Sequence, residues 1–149
     1  MTDVRDTEQM SETPGPGRFA ALDESECFAL LGSQRVGRIA LPDPSVPDGQ
    51  GIVVLPVAYV LTDDGVIGIL TGAAGVLGGL RTSGRIVGFE IDDIDVETAT
   101  GWSVLAACHT EEIDPGLLGS LRPWPGGERH LAIGLRVDRL SGRIVSRAE

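Results

Sequence analysis

Few side chains in this sequence can do chemistry, and they are scattered. The adjacent pair Cys108-His109 joins a thiol to a group that titrates near neutral pH. Both lie in an apolar, strand-like stretch where neighbours point to opposite faces, so they do not readily serve one site. His130 is the only other histidine, zinc-ligand spacing is missing, and no metal is expected. His109 is the best candidate for proton transfer. Tyr59, the single tyrosine, can stack on or hydrogen-bond a ligand, or pack with its hydroxyl satisfied. Trp102 and Trp124 offer a similar choice between a platform for a flat ring and a core or interface position. The run Gly72-Ala73-Ala74-Gly75 can present bare amides to an anion ahead of a short helix, or form only a tight strand-to-helix turn. It is not the dinucleotide fingerprint, because no βαβ unit with a ribose-binding acid follows. Asp92, Asp93, Asp95 and Glu97 lack the glycine and closing glutamate of a calcium loop, and no Gly-x-Ser-x-Gly elbow supports serine hydrolysis.

The elements that must position these residues read mostly as short strands. Residues 1–17 are polar and acidic, end in Pro14-Gly15-Pro16-Gly17, and are expected to be a disordered tail ahead of a domain over 18–149. A short helix is expected over 22–32, with Asp23 and Glu26 as a capping box, Gly32 as a left-handed stop, and Cys27, Leu30 and Leu31 as its buried stripe. Strands are expected over 36–41, over 52–61 with a bend or edge at Pro56, and over 66–71 after the turn Thr62-Asp63-Asp64-Gly65. A short helix over 76–81 precedes strands over 85–91 and 101–110, joined by an acidic connection. A helical turn over 115–121 and strands over 130–137 and 141–145 close the chain. About six antiparallel strands with only short helices make a mainly β closed barrel rather than an alternating βαβ sheet.

Composition narrows the function classes. At 149 residues the chain forms one ordinary domain, and with only 4% aromatic residues its core must be aliphatic. A formal net charge of −10 excludes nucleic acid and anionic membranes as natural partners, since both need a clustered basic face. The apolar run over 52–61 is half the roughly 20 residues a spanning helix requires. Two cysteines make no disulfide framework, and acids stand where a signal peptide would carry basic residues. A cytoplasmic protein with reduced thiols is expected.

Several segments together resemble the pyridoxamine 5'-phosphate oxidase-like family of actinobacterial flavin-binding split barrels. They are Val36-Gly37-Arg38-Ile39-Ala40, Leu55-Pro56-Val57-Ala58-Tyr59, Phe89-Glu90-Ile91-Asp92-Asp93-Ile94-Asp95, Thr100-Gly101-Trp102-Ser103-Val104 and Leu121-Arg122-Pro123-Trp124. The resemblance implies a homodimeric split β-barrel with flavin mononucleotide, or a related deazaflavin, in grooves between two barrels, acting as an oxidoreductase on a small molecule. By position it implies cofactor contacts at Val57, Tyr59, Thr71, Gly72, Trp102, Ser103 and Trp124. The sequence departs from the family pattern at Ala58, Leu70, Val76 and Ala99, where Asn, Arg, Lys and Arg are usual. Each charge-assisted phosphate contact is worth roughly 1.5–3 kcal/mol, so losing two or three weakens nucleotide binding on the order of a thousandfold. The alternative is a cofactor-free split barrel whose apolar groove binds, isomerises or cyclises a hydrophobic small molecule. A non-catalytic binding module with an interacting tail is the third reading.

Overall fold

The structure is a computed structural model and describes residues 17–72, 75–81, 84–121 and 130–147. Seven strands are present: β1 (Gly17–Leu22), β2 (Val36–Pro42), β3 (Ile52–Leu61), β4 (Val66–Gly72), β5 (Ile86–Asp95), β6 (Thr100–Glu111) and β7 (His130–Arg147). Among the described residues there are also one α-helix, α1 (Glu24–Leu31), and three short 3-10 turns. All pairings are antiparallel. The order β7-β4-β3-β2-β5-β6 closes on itself through β6–β7, giving a ring of six strands, and β1 adds to the edge of β7. The chain is therefore a mainly β barrel, as the strand pattern predicts, and of the split-barrel kind that the family resemblance implies.

The barrel closes because period-two alternation puts branched aliphatics inside. Ile39, Ile67, Ile69, Ile91, Leu135 and Phe89 are all essentially inaccessible. Gly37 makes room for the Phe89 ring in the core: a Cβ there would lie 2.4 Å from Phe89 Cζ. Pro56 sits opposite Arg38 where β3 pairs with β2; β3 meets β4 only over Tyr59–Leu61, which accounts for the edge expected at the proline. The turn ahead of β4 is as expected, with Gly65 at φ 84° and its amide donating to the Thr62 carbonyl.

Several expectations need correction. β1 was not anticipated, and it begins at Gly17, the last residue assigned to the tail; residues 1–16 lie outside the described residues. The strands expected over 130–137 and 141–145 are one strand. Asp138 is an extra residue in a bulge, since Cys108 pairs with Val137 and Ala107 with Arg139, and the ladder to β6 runs on past it. Gly32 is right-handed (φ −79°) rather than left-handed. The helix ends because both the amide and the hydroxyl of Ser33 donate to the Leu30 carbonyl, at 2.9 and 2.6 Å. The segment Val76–Arg81 is a 3-10 helix, consistent with two glycines that weaken α-helical propensity.

Candidate functional site

A turn and a glycine make the groove. β5 and β6 are joined over residues 96–99. There Asp95 Oδ1 accepts hydrogen bonds from the amides of Glu97 and Thr98 (3.0 and 3.3 Å), and Ala99 takes a left-handed φ of 57°. Gly101 follows at φ 153°, and a Cβ there would stand 2.4 Å from the Asp93 carbonyl oxygen and 2.7 Å from Ile94 Cα. A side chain is thus excluded from the middle of a four-strand row, because Phe19 pairs with Val145, Val145 with Gly101, and Gly101 with Ile94. Bare backbone floors a groove of about 280 Å3 between the side chains of that row, with Thr100, Trp102, Ser103 and Arg143 completing its walls.

The groove is apolar at its floor and polar on one flank. Phe19 is about half exposed, and the Arg143 guanidinium lies over its ring, 5.2 Å from the centroid. Arg143 has no carboxylate partner among the described residues. It pairs in register with Ser103, and Ser103 with Asp92. Asp92 is engaged elsewhere, 3.6 Å from the Arg38 guanidinium. The Thr100 hydroxyl shares a 2.7 Å hydrogen bond with that of Thr98. Among the described residues Arg143 is the only ionisable side chain lining the groove. A flat molecule with one anionic end matches this lining, while proton transfer is not supplied by it.

The residues singled out in the sequence separate into groups. Trp102 and Ser103 line the groove, and Trp102 also packs against the core. Val57 and Tyr59 point into the barrel. Tyr59 donates its hydroxyl proton to the Leu31 carbonyl and meets Phe89 edge-on at 4.9 Å; burial pushes its pKa up to about 12. It takes the packed alternative rather than that of a ligand contact or acid. Thr71 and Gly72, at the end of β4, pair with Leu131 and His130 at the start of β7, the opposite end of that strand from Arg143 and Val145, and do not line the groove. Trp124 and the amides of Ala73 and Ala74 lie outside the described residues.

His109 faces outward and Cys108 inward, its thiol raised to about 12 by burial. The bulge turns Asp138 toward His109, whose Nδ1 lies 2.9 and 3.0 Å from the two carboxylate oxygens. His109 stands seven residues along β6 from Trp102, roughly 23 Å of strand, so it belongs to a different part of the surface. Among the described residues no cluster of three ligating side chains could hold a metal ion, and no helix is long and apolar enough to cross a membrane.

Phe19, Ile94, Arg143 and Val145 were missed by the sequence reading. Phe19 and Arg143 are brought together only by the β1–β7 ladder, and nothing in their local patterns marks them.

Comparison with known proteins places this geometry among relatives. Residues 23–123 match the family model described as pyridoxamine 5'-phosphate oxidase. An uncharacterized protein of Mycobacterium tuberculosis is 31% identical over 134 residues, covering 84% of this chain and 85% of that protein. The FAD-binding protein of Mycobacterium smegmatis superposes with a TM-score of 0.64 at 25% identity, covering 83% of this chain and 98% of that one. An FAD-binding protein of Mesorhizobium loti gives a TM-score of 0.65 at 19% identity over 87% and 98% of the two chains, a likeness of fold alone.

Proposed function

The chain belongs to the pyridoxamine 5'-phosphate oxidase family, and from that premise we propose that it binds a flavin, flavin mononucleotide in particular, and acts as an oxidoreductase on a small molecule in the cytoplasm. The observation that carries this reading is the groove over Gly101. Its bare floor, its apolar walls of Phe19, Ile94 and Val145 and the one cation that lines it among the described residues suit a planar anionic ring system, and Trp102 and Ser103 occupy the positions at which the family resemblance implies flavin contacts. The Mycobacterium smegmatis relative, described as FAD-binding, supports the same cofactor class. A bound flavin supplies hydride and electron chemistry that no side chain of this chain offers. The residues here would bind the ring between apolar walls, exclude water from one face of it, and orient its polar edge toward the Ser103 and Arg143 side.

The functional unit of this proposal is a homodimer. On the outer surface Val54, Ala40, Gly88 and Ala107 form one register row across β3, β2, β5 and β6. Ile52, Ile86 and Leu105 flank it, each more than half exposed. A continuous apolar sheet face of this kind calls for a cover, and the groove opens at its margin, one register row beyond Leu105 and Glu90. A second copy seated on the face would wall the groove.

The test is the absorption spectrum of the freshly purified protein, followed by melting curves with flavin mononucleotide, FAD and a deazaflavin. Flavin colour, or a rise of roughly 5–10 °C at a hundredfold excess over the dissociation constant, is expected. A colourless protein whose melting temperature no flavin moves, while apolar small molecules raise it, selects the cofactor-free alternative.

A further inference from the structure

The family resemblance places basic side chains at Leu70 and Val76, and this chain has none there. A doubly anionic nucleotide phosphate still needs a cation, because in a chain of net charge −10 the general field repels it. Arg143 is the cation the fold delivers to the groove, and three features fit it for the task. Its guanidinium is laid on the Phe19 ring, which holds the charge in place while leaving its N–H edge free to donate. Among the described residues no carboxylate engages it. The acid nearest in register, Asp92 beyond Ser103, is bridged to Arg38 together with Glu90, which lowers its competition for the guanidinium. The Ser103 hydroxyl stands beside it as a second donor on the same row.

We infer that Arg143, oriented by Phe19, is the group that pairs with the anionic end of the planar ligand in this groove. The inference rests on the flavin reading above and adds to it a residue and a selectivity: the groove should distinguish a phosphorylated flavin from its uncharged parent. Arg143 is an exposed strand residue with no ion pair among the described residues, so its replacement leaves the core untouched.

The experiment measures dissociation constants of flavin mononucleotide and of riboflavin by fluorescence quenching, using the full chain as wild type, Arg143→Gln, Arg143→Lys and Phe19→Leu. Circular dichroism and melting temperature confirm that each variant folds. Arg143→Gln should weaken flavin mononucleotide binding about 10- to 100-fold and riboflavin binding less than about threefold. Arg143→Lys should recover part of the loss. Phe19→Leu should cost the phosphorylated ligand several-fold more than riboflavin, since the guanidinium loses its support. Equal effects of Arg143→Gln on both ligands, or none on either, overturn the role of Arg143 while leaving flavin binding standing. A wild type that binds neither flavin overturns the flavin reading and this inference together.

Discussion

At the scale of single residues, the outer sheet face holds a strained charge cluster beside the groove. Arg38 bridges Glu90 at 3.4 Å and Asp92 at 3.6 Å, so two carboxyls share one guanidinium. Desolvation, then the hydrogen bond and repulsion from Asp92, raise Glu90 from its ordinary 4.5 to about 7, outweighing the opposing pull of Arg38. The sign follows from linkage: a carboxyl whose folded pKa exceeds its unfolded one costs stability as it ionises, so the penalty grows from pH 4.5 to about 7 and stays constant above. Glu90 is about a third exposed, and solvent screening reduces the penalty to about 1 kcal/mol. Glu90→Gln should therefore melt higher than wild type at pH 8 and no higher at pH 4.5. Thermal scans across that range check it, and a pH-independent difference would assign the effect to packing instead. Tyr59 carries the opposite lesson. Its type is suited to chemistry, yet its hydroxyl is consumed by the Leu31 carbonyl, a partner 28 residues away that local sequence does not reveal.

At the scale of elements, α1 is short, and its start is set locally. Asp23 Oδ1 accepts from the Glu26 amide at 2.8 Å, and Glu26 Oε1 accepts from the Asp23 amide at 2.9 Å. This reciprocal pair is legible in the sequence because it spans three residues. What the helix rests on is not local: a Cβ on Gly142 of β7 would lie 2.8 Å from Cys27 Sγ, so α1 seats on the strand segment that also carries Arg143. Asp23→Ala should cost about 1 kcal/mol, read as a lower urea midpoint with an unchanged slope. A changed slope would mean that the cap holds more than its own helix. The long β7 shows the reverse case. Charged residues over 136–139 interrupt its apolar pattern and suggest two strands, whereas the bulge at Asp138 carries those residues outward within one continuous ladder.

At the scale of the whole molecule, the apolar face across β3, β2, β5 and β6 sits on a chain that is otherwise strongly acidic. Solvent exposure of Ile52, Val54, Ile86 and Leu105 is unfavourable by roughly 1.5–3 kcal/mol for each side chain that burial would remove from water. Pairing through this face therefore has a hydrophobic driving force that survives the mutual repulsion of two acidic subunits. The double variant Val54→Asp, Leu105→Asp should sediment as a monomer under conditions where wild type sediments at twice the chain mass, and its flavin affinity should fall with it. A wild type that stays monomeric at tens of micromolar protein would remove the dimer from the proposal.

What the sequence determined by itself is whatever acts over short spans or through alternation. The aliphatic strands, the capped helix, the turn at Gly65, the edge at Pro56 and the mainly β class all follow from local patterns and steric preference. Trp102 and Ser103 were legible as candidate ligand contacts through the family resemblance, because the Gly-Trp-Ser run keeps its residues together. Only the tertiary structure decided that Tyr59 is a core residue, that His109 stands apart with Asp138, and that Phe19 and Arg143 wall the groove over Gly101. Those outcomes depend on which strands close the ring and in what register. A one-residue shift in the β1–β7 or β6–β7 ladder would send Phe19 or Arg143 to the other face, and no local pattern fixes that choice.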